Sequence, residues 1–143
     1  MEAESLFRDF ARRHSFTIER IDNAPIELMM RLSKQPGLSF ELTLALQNGD
    51  ELNIGFEKFW SYFFPYEKKR RIVLDALDAI ASGDCRLAIH TQRGGVVRRV
   101  LEKLSDGLWQ PIYVAHSGVK FPFLTTSITY LRNEDVRPEK QSV

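Results

Sequence analysis

Over residues 2–14, Ala3, Leu6, Phe7, Phe10 and Ala11 recur on one helical stripe, with Arg8, Asp9 and Arg12 opposite. That spacing predicts an amphipathic helix, and Pro25 bars its easy continuation. The period then changes from helical to alternating. IELMMRLS (26–33) is an apolar run followed by Pro36-Gly37. In LSFELTLAL (38–46), Leu38, Phe40, Leu42, Leu44 and Leu46 share one face. Asn48-Gly49 follows, the preferred chemistry of a type I′ hairpin turn. ELNIGFE (51–57) alternates again, with Leu52, Ile54 and Phe56 together. The pattern predicts a three-stranded antiparallel meander.

Pro65 suits the first residue of a second helix. Over 66–82, Val73, Leu74, Leu77, Ile80 and Ala81 lie on one face, and Gly83 supplies a C-terminal stop. RLAIHTQ (86–92) leads to Gly94-Gly95, VVRRVLEKL (96–104) to Asp106-Gly107, then LWQPIYVA (108–115) and a last strand, LTTSITYL (124–131). Residues 96–104 fit a helix by period and a strand by their flanking turns; the hairpin signals favour the strand. The expected fold is α+β, with antiparallel meander sheets backed by two main helices in the order α-β-β-β-α-β-β-β-(β). One domain is expected over 1–132, and the polar segment 133–143 is expected to be a flexible tail. Pro36-Gly37 and Gly94-Gly95 are 58 positions apart, as are Asn48-Gly49 and Asp106-Gly107. Two copies of a helix plus meander would give that offset, and so would two unrelated meanders of similar strand length.

Composition narrows the function classes. A chain of 143 residues is the size of one domain. With 20 basic and 19 acidic residues the net charge is +1, so no global field draws nucleic acid or an acidic membrane. Cys85 is the one cysteine, which excludes an intrachain disulfide and suits a reducing cytoplasm. No signal peptide is visible in MEAESLFRDFARRH, and no apolar run reaches the roughly 20 residues that span a bilayer. A cytoplasmic location without membrane attachment is therefore expected.

One stretch concentrates the aromatic and basic residues: FEKFWSYFFPYEKKRR, Phe56 to Arg71. Phe56, Phe59 and Phe63 are expected in the core, each contributing about 2–3 kcal/mol by burial. A short helical turn is expected before Pro65, since Phe64 is pushed from the α region. Trp60, Tyr62 and Phe64 cannot easily point inward as well, and surface aromatics are enriched at interfaces. Glu67, Arg71 and Asp75 are spaced for exposed helix ion pairs, which makes the basic run a solvated face. Lysines and arginines at a helix start still oppose the dipole, which hints at anion binding. The expected partner-binding surface is Trp60, Tyr62, Phe64, Lys68 and Arg71.

Catalytic chemistry finds no footing in the pattern. His14, His90 and His116 lie in three separate elements, and no pair has metal-ligand spacing. Cys85 and His90, five apart on a strand, fall on opposite faces, so Cys85 is expected to be a small buried hydrophobe. No G-x-S-x-G elbow exists, and Gly94-Gly95 reads better as a turn than as a phosphate cradle. No cofactor, metal or catalytic residue is expected, and an enzyme is the less favoured reading.

Two resemblances follow. Helix, a meander closed by QNGDELNIGFE, the aromatic entry KFWSYF, the helix RRIVLDALDAIASG and a second meander ending near SDGLWQPIYV look like small bacterial α+β proteins of the immunity-protein type. That resemblance implies a non-enzymatic binding module with an exposed recognition surface, of the kind that binds and blocks another protein; the expected partner is another protein or a second copy of the chain. The α–β–β–β–α order of 2–82, with EKKRR (67–71) at the start of its second helix, resembles a double-stranded RNA-binding domain. That alternative implies phosphate contacts from the basic run. The KQPG loop, the aromatic insert and the near-zero charge depart from that family, so nucleic acid is the less favoured partner. A small-molecule-binding or enzyme domain is a further alternative, and would need a cavity between sheet and helices.

Overall fold

The computed structural model describes residues 2–136. Helix α1 (Glu2–Arg13) forms where the apolar stripe predicts it, burying Ala3, Phe7, Phe10 and Ala11. Glu2 and Glu4 in its first turn and Arg12 and Arg13 in its last complement the helix dipole. A first sheet follows: β1 (Glu19–Arg20), β2 (Leu28–Leu32), β3 (Leu42–Gln47), β4 (Glu51–Phe56) and β5 (Phe59–Trp60), antiparallel and in that spatial order. The alternation sets its inner face. Leu28, Met30, Leu32, Leu42, Leu44, Leu46, Leu52, Ile54 and Phe56 are all buried. Asn48 and Gly49 both have positive φ (51° and 71°), as the I′ turn requires. The third strand starts at Leu42 rather than Leu38, because Pro36-Gly37 closes a tight loop through the Gln35–Leu38 bridge.

Residues 59–63 differ from expectation. They form no helical turn but run extended beside β4, with Phe63 and Leu52 exchanging backbone hydrogen bonds of 2.8 and 3.0 Å. Helix α2 is Tyr66–Ser82, so Pro65 precedes it instead of opening it, at an extended φ of −79° and ψ of 156°. Gly83 ends the helix in the left-handed region (φ 82°).

The second sheet comprises β6 (Cys85–Gln92), β7 (Gly95–Ser105), β8 (Leu108–His116) and β9 (Ser127–Arg132), in the order β8-β7-β6-β9. The ambiguous segment is a strand. Turns at Arg93-Gly94 (φ 50° and 79°) and Asp106-Gly107 (φ 51° and 79°) reverse the chain at both ends of β7. The first of these uses Arg93-Gly94, one residue earlier than the glycine pair. The fold is thus α+β, with two antiparallel sheets and two helices. The first half supplies a helix followed by a five-stranded meander, and the second a helix followed by a three-stranded meander whose sheet is completed by β9 beside β6.

One apolar cluster joins these elements, from Phe7 and Phe10 of α1 through Val73, Leu77 and Ile80 of α2 to Leu87 and Leu101 of the second sheet. Tyr113 of β8 packs on Phe59 and Phe63, with centroids 5.8 and 5.4 Å apart, and so ties the sheets together. Part of the segment expected to be a flexible tail from residue 133 is held against the fold. Asn133 is buried, and Asp135 accepts a 2.8 Å bond from the Gly37 N–H. The rest of that expected tail, 137–143, lies outside the described residues.

Candidate partner-binding surface

Alternation along 59–64 sorts the aromatic stretch. Phe59 and Phe63 point into the core, and Tyr62 and Phe64 are 51% and 59% exposed. Trp60 is half-buried. A Cβ built on Gly55 would lie 2.5 Å from Trp60 Cε3, so the indole occupies the space that glycine leaves. Asn53, between the core residues Leu52 and Ile54 of β4, is fully buried as well, and its amide donates to the Ser61 carbonyl at 2.9 Å. That carbonyl is released from the ladder because the Ile54 N–H donates to the Ser61 hydroxyl instead. Lys68 and Arg71 are exposed on one face of α2, and Arg71 Nε sits 3.5 Å from Asp75 Oδ1. Such an exposed pair adds only a few tenths of a kcal/mol, ~0.3–0.5. Of the five expected contact residues, then, Tyr62, Phe64, Lys68 and Arg71 are open to a partner and Trp60 is largely a packing residue.

A second surface was not anticipated. The register of the second sheet puts three rows on its outer face. Glu102, Arg86 and Arg132 form the first; Val114, Val100, Ala88 and Tyr130 the second; His116, Arg98, His90 and Ile128 the third. The helix contacts of this sheet come from α2, on the opposite face, where Cys85, Leu87 and Leu101 are buried. No helix covers the outer face among the described residues, but its centre is closed: Ala88, Val100, His90 and Gln92 are buried there, while Val114, Ile128 and Tyr130 on the flanking strands are exposed. Seven of the eleven exposed large hydrophobic residues belong to this sheet or to its 117–126 connection: Leu108, Val114, Val119, Phe121, Phe123, Ile128 and Tyr130. A concentration of that kind marks an interaction surface more often than scattered exposure does.

Arg86 organises the centre. Its guanidinium carbon lies 4.1 Å from the Trp109 ring centroid and 3.9 Å from that of Tyr130, and its Nε donates to Glu102 at 2.8 Å. Arg132 reaches the same indole at 5.3 Å. Each cation–π contact contributes about 0.5–1 kcal/mol at such exposed sites and fixes the rotamers of both partners. Arg98 Nε meets His90 Nδ1 at 3.4 Å. Burial, and then the positive charges of Arg98 and Lys120, lower the His90 pKa from its ordinary value. Gln92, on the same face, holds the 117–126 connection by bonds to the Phe121 N–H and carbonyl at 3.0 and 2.9 Å. The alternation of 86–92 and 124–131 contained this face, with Arg86 and His90 at outward positions of the first strand and Ile128 and Tyr130 at those of the second. The pairing of Arg86 with Arg132 carries no local signal.

A cleft of about 1040 Å³ opens between the end of α1, α2 and the end of β7. His14 Nε2 and Arg13 Nη1 both contact Asp78 Oδ1, at 2.8 and 2.7 Å. Those groups satisfy one another and hold α1 against α2, which is a structural use of the histidine. Cys85 is buried beneath the second sheet, and burial pushes its thiol pKa up to about 12, so it stays protonated and inert. His90 lies on the opposite face, as the strand period requires. Among the described residues no helix is long and apolar enough to cross a membrane. Compared with known proteins, the chain matches no family model, no curated protein and no solved structure.

Proposed function

We propose that the protein is a protein-binding module that engages its partner through the outer face of the second sheet. The observation that carries this reading is the array of half-buried Trp109 and Arg86 with exposed Tyr130, bordered by exposed Val114 and Ile128. Aromatic and arginine side chains dominate binding energetics at interfaces, and here their rotamers are set before a partner arrives. The face carries Arg86, Arg98 and Arg132 against the single carboxylate of Glu102. Its complement is a partner surface with exposed apolar groups and an excess of Asp and Glu. An immunity-type inhibitor is one form such a module takes.

The test is retention of a partner from cell lysate on immobilised protein, with and without nuclease. Trp109→Ala plus Tyr130→Ala should abolish retention while the protein stays folded, with the melting temperature lowered only by the several degrees that the lost cation–π contacts account for. Tyr62→Ala plus Phe64→Ala should retain the partner. The opposite pattern, including loss on neutralising Lys68 and Arg71, would move the interface to the entry of α2. Retention lost only after nuclease would replace the protein partner with nucleic acid.

A further inference from the structure

The two sheets have four edge strands, and three of them are guarded against pairing. Strands β1 and β5 are two residues long. Strand β8 carries Pro111 and a register shift where Leu101 pairs Tyr113 and Glu102 pairs Pro111, which leaves Ile112 bulged. Short edges, proline and bulges are the devices by which natural sheets avoid adding a strand. Strand β9 has none of them. Its six residues, Ser127-Ile128-Thr129-Tyr130-Leu131-Arg132, pair with β6 in unbroken register on one side. Among the described residues, nothing pairs with the other side. Its sequence contains no proline or glycine and one charge, at the end. Residues 127–130 are all exposed, those on the inner side of the strand included.

We propose that β9 pairs with β9 of a second copy of this chain, antiparallel across a two-fold axis, joining two four-stranded sheets into one of eight strands. Self-pairing of a strand is the simplest isologous contact, and its register here follows from side-chain chemistry. Residues must pair with same-parity partners to share a face. Centring the axis on Thr129 sets Ile128 opposite the second copy's Tyr130 on the outer face and Ser127 opposite its Leu131 on the inner. Arg132 then faces the second copy's Thr126, so no like charges meet. The two large apolar residues of the outer face, Ile128 and Tyr130, pair with each other, and the outer faces of the two copies become continuous. The inference uses the strand edge and not the face, so it stands or falls apart from the proposed function.

Sedimentation equilibrium and amide hydrogen exchange of the purified chain, without any partner, test it. A dimer is expected, with all backbone amides of β9 protected instead of the alternate ones that bond β6. Ile128→Lys should give a folded monomer in which every other β9 amide exchanges freely. Ser127→Lys, at a fully solvent-facing position, should do the same if the first variant folds poorly. A wild-type monomer at the highest soluble concentration overturns the proposal, whatever its exchange pattern. So does a dimer in which alternate β9 amides remain unprotected, or one that persists in both lysine variants.

Discussion

Gly55 of β4 and Trp60 of β5 are directly paired, and the indole lies where any side chain at 55 would begin. Glycine is needed there for close approach, not for an unusual backbone angle. Gly55→Ala forces the ring off its seat, and overpacking of this kind costs about 1–3 kcal/mol. In a Trp60→Ala background the added methyl has room, so the cost should largely vanish. Urea denaturation of the two single variants and the double variant checks this; strict additivity would show that the ring does not rest on Gly55. The alternation of the aromatic stretch was readable in the sequence, which is why Phe56, Phe59 and Phe63 are core and Tyr62 and Phe64 are not. The half-burial of Trp60 was not readable there, because the space left by the missing Cβ of Gly55 on the neighbouring strand has no signature in the alternation. Nor does any local pattern mark Asn53 as buried, since its amide is bonded by Ser61 of the segment that pairs beside β4.

At the scale of the element, the second sheet couples its outer face to pH. His90 of β6 is 8% exposed, accepts from Arg98 of β7, and is faced by Lys120 of the following connection, with Glu102 the one opposing charge. Its folded pKa is lowered, chiefly by burial. The unfolded chain therefore takes up the proton first as pH falls. His90 contributes stability that is fully present above the unfolded pKa of about 6.5 and is lost as pH drops through the lowered folded value. His90→Gln keeps an acceptor for Arg98 but cannot titrate. Thermal melts of the variant should lose part of the decline seen in the wild type over that acidic window. Identical pH profiles would show that His90 is not the group responsible. The strands of this sheet were legible from turn chemistry, since Asp106-Gly107 alone outweighed the helical period of 96–104. Which strand lies beside β6 was not legible, because nothing near Ser127–Arg132 in sequence names Arg86 as a neighbour.

Across the whole molecule, the chain's last described residues clamp its two halves. Asn133 is 2% exposed; its amide nitrogen donates to the carbonyls of Gly37 and Ala81, at 2.8 and 2.9 Å. Its amide oxygen accepts from the Ser39 N–H at 2.9 Å. Ala81 lies in the last turn of α2, where carbonyls lack partners within the helix, so Asn133 serves as a cap from a distant segment. Gly37 and Ser39 belong to the loop between β2 and β3, so one side chain joins the first meander, the second helix and the strand end after β9. Polar composition made residues 133–136 read as a tail, because a sequence shows that a side chain is polar but not that it is buried and fully bonded. Removing the side chain leaves two buried carbonyls and an N–H without partners, and each such group costs roughly 1–3 kcal/mol. Asn133→Ala should therefore destabilise the protein by several times the effect of Glu134→Ala, an exposed neighbour whose side chain makes none of these bonds. Asn133→Asp should be as damaging, since a carboxylate oxygen would replace the donor that both carbonyls need. Urea midpoints decide the matter, and equal midpoints for Asn133→Ala and Glu134→Ala would return the segment to the role of a tail.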